Sequence, residues 1–180
     1  MSKKNELLKA AQSKVRSGGY SNFSFRELAA EVGIKSASVH YHFPTKGDLG
    51  AEIARQYTDN FLMMLGDPND VVRLGESPID AYVNQFRSAL VHDKKMCLCG
   101  ILGAESNGIP DEVRHETKKF FQRNIDWLEK ANVAISPKNE KDAKQKAIKM
   151  LSILEGAMLI SIALEDNQIF EQAVKEMALT

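Results

Sequence analysis

Residues 25–49 read FRELAAEVGIKSASVHYHFPTKGDL, and this stretch decides the fold. Ser24 just ahead of it, with Glu27 three positions on, forms a capping box in which hydroxyl and carboxylate satisfy free amides at a helix start. Phe25, Leu28, Ala29 and Val32 then recur at helical spacing, and Gly33 follows as a terminator. A second, very short helix has to fit between Gly33 and Pro44, because the residue before a proline is pushed out of helical geometry. Two short helices joined by a glycine turn, Phe25 to Val32 and Lys35 to His42, have the spacing of a helix-turn-helix, whose second helix enters a DNA major groove. That second helix, KSASVHYH, suits such a groove, because serines and an alanine leave room for close approach while tyrosine and histidine can donate to phosphates or base edges.

Working outward, an amphipathic helix over about Lys3 to Ser17, with Leu7, Leu8, Ala11 and Val15 on one face, precedes the pair and stops at Gly18-Gly19. Thr45 with Asp48 caps a long helix carrying Leu49, Ile53, Tyr57, Phe61 and Leu65. Loops at Gly66 and Gly75 flank a short segment of doubtful structure, and Ser77-Pro78 opens a helix with Tyr82, Val83, Phe86 and Leu90. Further helices are predicted over about Cys97 to Ser106, Asp111 to Ala131, Lys141 to Glu165 and Gln168 to Leu179. Apolar residues recur at three and four rather than at two, so the fold class is all-α, with about nine helices. A helix-turn-helix domain over residues 1–48 and a helical effector and dimerisation domain over 49–180 are the expected division.

The charge is divided in the same way. The chain is neutral overall, yet residues 1–50 carry eight basic and four acidic side chains, a net +4, and the rest carries −4. A basic module on an acidic body points to a polyanion as the partner of the first part only. An apolar fraction of 43% with 27% charged residues is that of a folded globular chain. The longest uncharged stretches, Met96 to Ala104 and Gly156 to Leu164, fall far below the roughly 20 residues of a membrane span. No membrane partner is expected, and the N-terminus lacks the apolar core of a signal peptide, which predicts a cytoplasmic protein. Cys97 and Cys99 stand too close in sequence for a relaxed disulfide.

At this point the sequence resembles the TetR-type transcriptional repressors. Residues 25–49 look like that family's signature throughout, with an "LA..GV" helix, a recognition helix ending in "YxHF" or a near variant, and a "K..L" start to the next helix. The resemblance puts Lys35, Ser36, Ala37, Ser38 and His40 at groove-facing positions and Tyr41 and His42 on bases or phosphate, and it puts Lys46 on phosphate. The family commonly has tyrosine where His40 stands. Outside such a motif, Ser36 and Ser38 would read as solvated residues, and His40 and His42, two apart, do not share a helix face as a metal pair would. Val39 and Phe43 read as core.

The resemblance also implies a small-molecule effector. Tyr82, Phe86, Met96, Cys97, Phe120, Phe121, Trp127 and Met150 form a soft apolar set suited to a pocket, although each alone reads as core. A thiol sensor using Cys97 and Cys99 is the alternative, weakened by their apolar neighbours. The helix over Lys141 to Glu165 is apolar on two faces, more than one core absorbs. Leu154, Gly156 and Ala157, with Phe170, Val174 and Met177 of the last helix, are therefore expected in a two-fold four-helix dimer interface, and the dimer on a roughly palindromic operator. No cofactor is expected. No phosphate loop, nucleophile elbow or paired His-Glu metal motif supports an enzyme built from Glu105, His115 or Asp126. An all-helical adaptor with no DNA role is disfavoured by the basic module.

Overall fold

A computed structural model describes residues 2–178 and shows, among them, ten α-helices and no strand. They are α1 (Lys3–Gly18), α2 (Phe25–Val32), α3 (Ser36–His42), α4 (Lys46–Leu65), α5 (Pro68–Arg73), α6 (Pro78–Val91), α7 (Leu98–Ala104), α8 (Asp111–Ile135), α9 (Glu140–Ala163) and α10 (Gln168–Ala178). The all-helical expectation holds. The helix beyond the expected count is α5, where Asp67 caps the segment between the two glycine loops by accepting from the Asn69 amide at 2.9 Å. Helix α8 runs past Ala131 to Ile135, because nothing breaks it before Ser136-Pro137. The predicted last residue of the final helix, Leu179, lies outside the described residues. Among the described residues no helix is long and apolar enough to cross a membrane.

The chain divides into two compact units, Met1–Asp59 with Leu98–Phe120, and Asn60–Cys97 with Phe121–Thr180. Helices α4 and α8 contribute residues to both.

In the first unit α1 buries Leu7, Leu8, Ala11 and Val15. The capping box of α2 closes as the sequence requires: the Glu27 amide donates to Ser24 Oγ at 3.3 Å and the Ser24 amide to Glu27 Oε2 at 2.8 Å. Thr45 and Asp48 make the same reciprocal pair ahead of α4, each bond 3.0 Å. Gly33, at φ +69°, supplies the left-handed turn between α2 and α3 without a side-chain clash. Gly50 has a different use: a Cβ there would stand 2.7 Å from the Tyr20 ring and 2.8 Å from Val113, so its absence lets α4 close on both.

The second unit is organised around α6, α9 and α10, with α10 laid along α9. Tyr82, Val83, Phe86 and Leu90 are the buried face of α6. The Arg87 guanidinium grips Glu171 through two bonds of 2.7 and 2.9 Å, fixing α6 to α10.

Candidate functional site

Helix α3 is held by very little and presents almost everything else. Of its seven residues only Val39 is buried, and with Phe43 just after the helix it forms the inward anchor. Lys35, Ser36, Ala37, Ser38 and His40 are exposed, His42 is half-buried, and Tyr41 stands 85% exposed. A tyrosine left in water gives up the stabilisation of burial, which is expected where a ring is kept for a partner. His40 is the most constrained of the set: its ring meets Phe25 edge-on at 4.8 Å, with Nδ1 3.4 Å from the Pro44 carbonyl. The Tyr41 and His42 rings meet at 5.3 Å.

Lys46 departs from expectation. Its ammonium turns inward, donating to the Phe23 carbonyl at 2.7 Å and lying 4.2 and 4.9 Å from the Phe23 and Tyr20 ring centres. Burial holds its pKa below the usual lysine value, against the pull of Glu27 and Glu105. This lysine fastens the start of α4 to the α1–α2 loop, which offers the ammonium a carbonyl and two ring faces close by. Other basic groups are similarly engaged, Lys3 with Glu6 and the Val32 carbonyl, Lys4 over the Phe43 ring, and Lys14 with Glu31.

The expected effector residues are only partly brought together. Tyr82, Phe86 and Trp127 stack in the second unit, with ring centres 5.6 and 5.4 Å from Tyr82, and Phe61 meets Tyr82 and Phe86 edge-on. Cys97 is buried nearby, its amide directed at Met158 Sδ. Met96 is half-exposed. Met150 lines a separate open groove of about 660 Å³ with Ile79, Asn132 and Met177. Phe120 and Phe121 part company, because neighbours on a helix point about 100° apart. Phe120 belongs to the first unit, 5.8 Å from the Tyr57 ring, and Phe121 is half-buried in the second.

Beside the aromatic cluster is a group the sequence reading passed over. Glu155 of α9 has a half-exposed stem, but both carboxylate oxygens are buried, and among the described residues only the weakly donating Cys97 thiol is directed at them. Burial pushes its pKa up to about 7, and the neighbouring Cys97 thiol offsets a part of that rise. Burial also drives the Tyr82 phenol well up, with Glu155 and Cys97 adding to it.

The residues expected at the dimer interface differ in exposure. Leu154, Ala157, Phe170 and Met177 are buried within the second unit, because the inward face of α9 packs on α6 and α10; Val174 and Gly156 are half-exposed. The outward apolar residues of α9 are instead Ile148, Leu159 and Ile160, with Leu164 just beyond, from 46% to 66% exposed. Gly156 does lie on that side, and a Cβ there would meet nothing within 4 Å.

Likeness to known proteins decides the family. The family described as bacterial regulatory proteins, tetR family, matches residues 4–53, and the LmrA/YxaF-like transcriptional regulator C-terminal domain matches residues 77–176. The chain belongs to the TetR family. This TetR-family chain is a DNA-binding transcriptional regulator and not an enzyme. It is similar to a TetR transcriptional regulator from Legionella pneumophila at 27% identity, covering 99% of this chain and 97% of that one, with a TM-score of 0.89. A TetR-family regulator from Agrobacterium tumefaciens follows at 25% identity, with 97% and 95% covered and a TM-score of 0.80. The reduced form of E. coli NemR shares the fold at 17% identity, with 98% and 95% covered and a TM-score of 0.80. No curated protein sequence matches the chain.

Two positioning residues of this TetR-family chain escaped the sequence reading. Glu105, at the end of α7, accepts from the Tyr20 amide at 2.8 Å and so holds the loop that Lys46 also holds. A lone Glu beside Ser106 and Asn107 carries no signal of a partner 85 positions away. Glu155 had one faint signal, a single charge in the otherwise uncharged run from Leu151 to Leu164.

Proposed function

We propose that this chain is a cytoplasmic, homodimeric repressor that reads a roughly palindromic double-stranded DNA operator and is released from it by a small-molecule effector. Residues 1–48 serve as the reading head and 49–180 as the effector and dimerisation part. The observation that carries the reading is α3 itself, a helix anchored by Val39 and Phe43 with its serines, His40 and Tyr41 left in solvent. Lys35, Ser36, Ala37, Ser38, His40, Tyr41 and His42 are its groove-side residues. Lys35, Lys46 and the N-terminal lysines supply the charge for phosphate.

Dimerisation is supported by the outward face of α9, where Ile148, Leu159, Ile160 and Leu164 flank a glycine that admits a second helix. Two heads on one dimer bind as a tethered pair, so affinity belongs to the dimer. An effector that favours one arrangement of the heads weakens DNA binding, and DNA weakens effector binding by the same factor. The thiol-sensing alternative gains no support: Cys97 and Cys99 are both buried, and oxidants reach exposed thiols first. The test is a mobility-shift titration on fragments of the source genome at several salt concentrations. Specific, salt-steep binding is expected. Binding that does not discriminate among fragments would refute the reading.

A further inference from the structure

The open groove of about 660 Å³ in the second unit has the volume of a small-molecule site. Four helices wall it: the start of α6, the end of α8, the first half of α9 and the end of α10. Its apolar floor is Ile79 and Met150, both half-buried, with the buried Met177. Methionines are unbranched and polarisable, so such a floor fits itself to apolar bodies of many shapes. Asn132 holds one side of it in place, donating to the Leu128 carbonyl at 2.9 Å and toward Met150 Sδ at 3.6 Å.

The groove also carries four charged side chains, and their settings differ. Asp80 and Asp142 stand in the first turns of α6 and α9, where free amides and the positive end of each helix offset a negative charge. Asp80 acts in addition on Arg87 of its own helix. Lys146 and Lys149 lie in the second and third turns of α9, about one turn apart, beyond the reach of such an offset. Among the described residues neither lysine makes a hydrogen bond or an ion pair, although both acids line the same groove. This is so on a body, residues 51–180, that carries 16 basic and 20 acidic side chains, where acidic partners are plentiful. The charge that the groove leaves unmet is therefore positive.

We propose that this groove is the effector site and that it takes amphipathic carboxylates, whose anionic head pairs with Lys146 and Lys149 while an aromatic or aliphatic body lies on Ile79, Met150 and Met177. The inference rests on the reading of the chain as an effector-released regulator and adds the place and the chemical class of the effector. A neutral ligand would use the floor and leave the lysines unmet, and a cation would meet them as a like charge. An anion with an apolar body uses both.

The experiment titrates the full-length protein by calorimetry, without DNA and at low ionic strength, with octanoate and 1-naphthoate, with the neutral octanamide and 1-naphthamide, and with octylammonium. At least one carboxylate is expected to bind about tenfold or more tighter than its amide, the measure of a charge-assisted pair, and octylammonium is expected to bind more weakly than octanoate. Lys146→Gln combined with Lys149→Gln removes the preference for the carboxylate, while Lys144→Gln, at a lysine of α9 outside the groove, retains it. All three lysines are exposed, so these substitutions keep the fold. The proposal is overturned if neither carboxylate binds at millimolar concentration, or if neither binds tighter than its amide. Octylammonium binding as tightly as octanoate overturns it too, as does a preference that survives the double substitution or is lost equally in Lys144→Gln. Because no DNA is present, failure here leaves operator binding untouched, and failure of operator binding leaves this result standing.

Discussion

Replacing Glu155 by Gln should change how the stability of this protein depends on pH. In the folded chain burial raises the carboxyl from 4.5 to about 7, so between those values the folded form holds a proton that the unfolded form releases. Stability from this group is therefore present at low pH and is lost as pH rises through that window. The full displacement corresponds to about 3 kcal/mol, most of it falling between about pH 5 and pH 8. Urea unfolding of wild type and Glu155→Gln, at fixed protein concentration and ionic strength, measures it through Trp127 emission. The uncharged amide is also without a partner and costs stability at every pH, so the decisive quantity is the difference between the two proteins' pH profiles. Going from acid to alkaline buffer, the variant should lose about 2 to 3 kcal/mol less than wild type. Parallel profiles would refute the reasoning, for they would mean that the carboxylate is hydrated or paired in the folded protein.

Other substitutions separate contact residues from fastening residues. Tyr41→Ala and Ser38→Ala should weaken operator binding by about 1 to 3 kcal/mol each, with melting temperature nearly unchanged, since neither side chain is buried; a large melting drop would place them in the core. Lys46→Ala should destabilise the first unit by about 1 to 2 kcal/mol through loss of the Phe23 carbonyl bond and the ring contacts. It should also flatten the salt slope of DNA binding by about one unit, and an unchanged slope would remove Lys46 from the phosphate contacts. Gly156→Arg, where a side chain enters open space, should give a folded monomer with weak operator binding; a stable dimer in sedimentation would move the interface off this face of α9.

How much of this was legible in the sequence depended on whether the signal was local. Capping boxes at Ser24 and Thr45, the Gly33 turn and the inward Val39 were readable because partners three or four positions apart declare one another. The direction of Lys46 was not, because its partners Phe23 and Tyr20 lie more than twenty positions away and reach it only through folding. The outward face of α9 was not legible for a related reason. A helix apolar on nearly all sides carries almost no periodic signal, so the sequence told that a surplus existed but not which residues α6 and α10 would cover.

The most direct measurement recovers the DNA fragments that the full-length protein captures from its own genome, in parallel for wild type and Tyr41→Ala. An operator-reading dimer should enrich a small set of fragments sharing a roughly palindromic site, with capture falling steeply as salt rises and lost in Tyr41→Ala. Fragments captured without a shared site, or kept in full by Tyr41→Ala, would contradict the reading of α3 as the helix that recognises DNA.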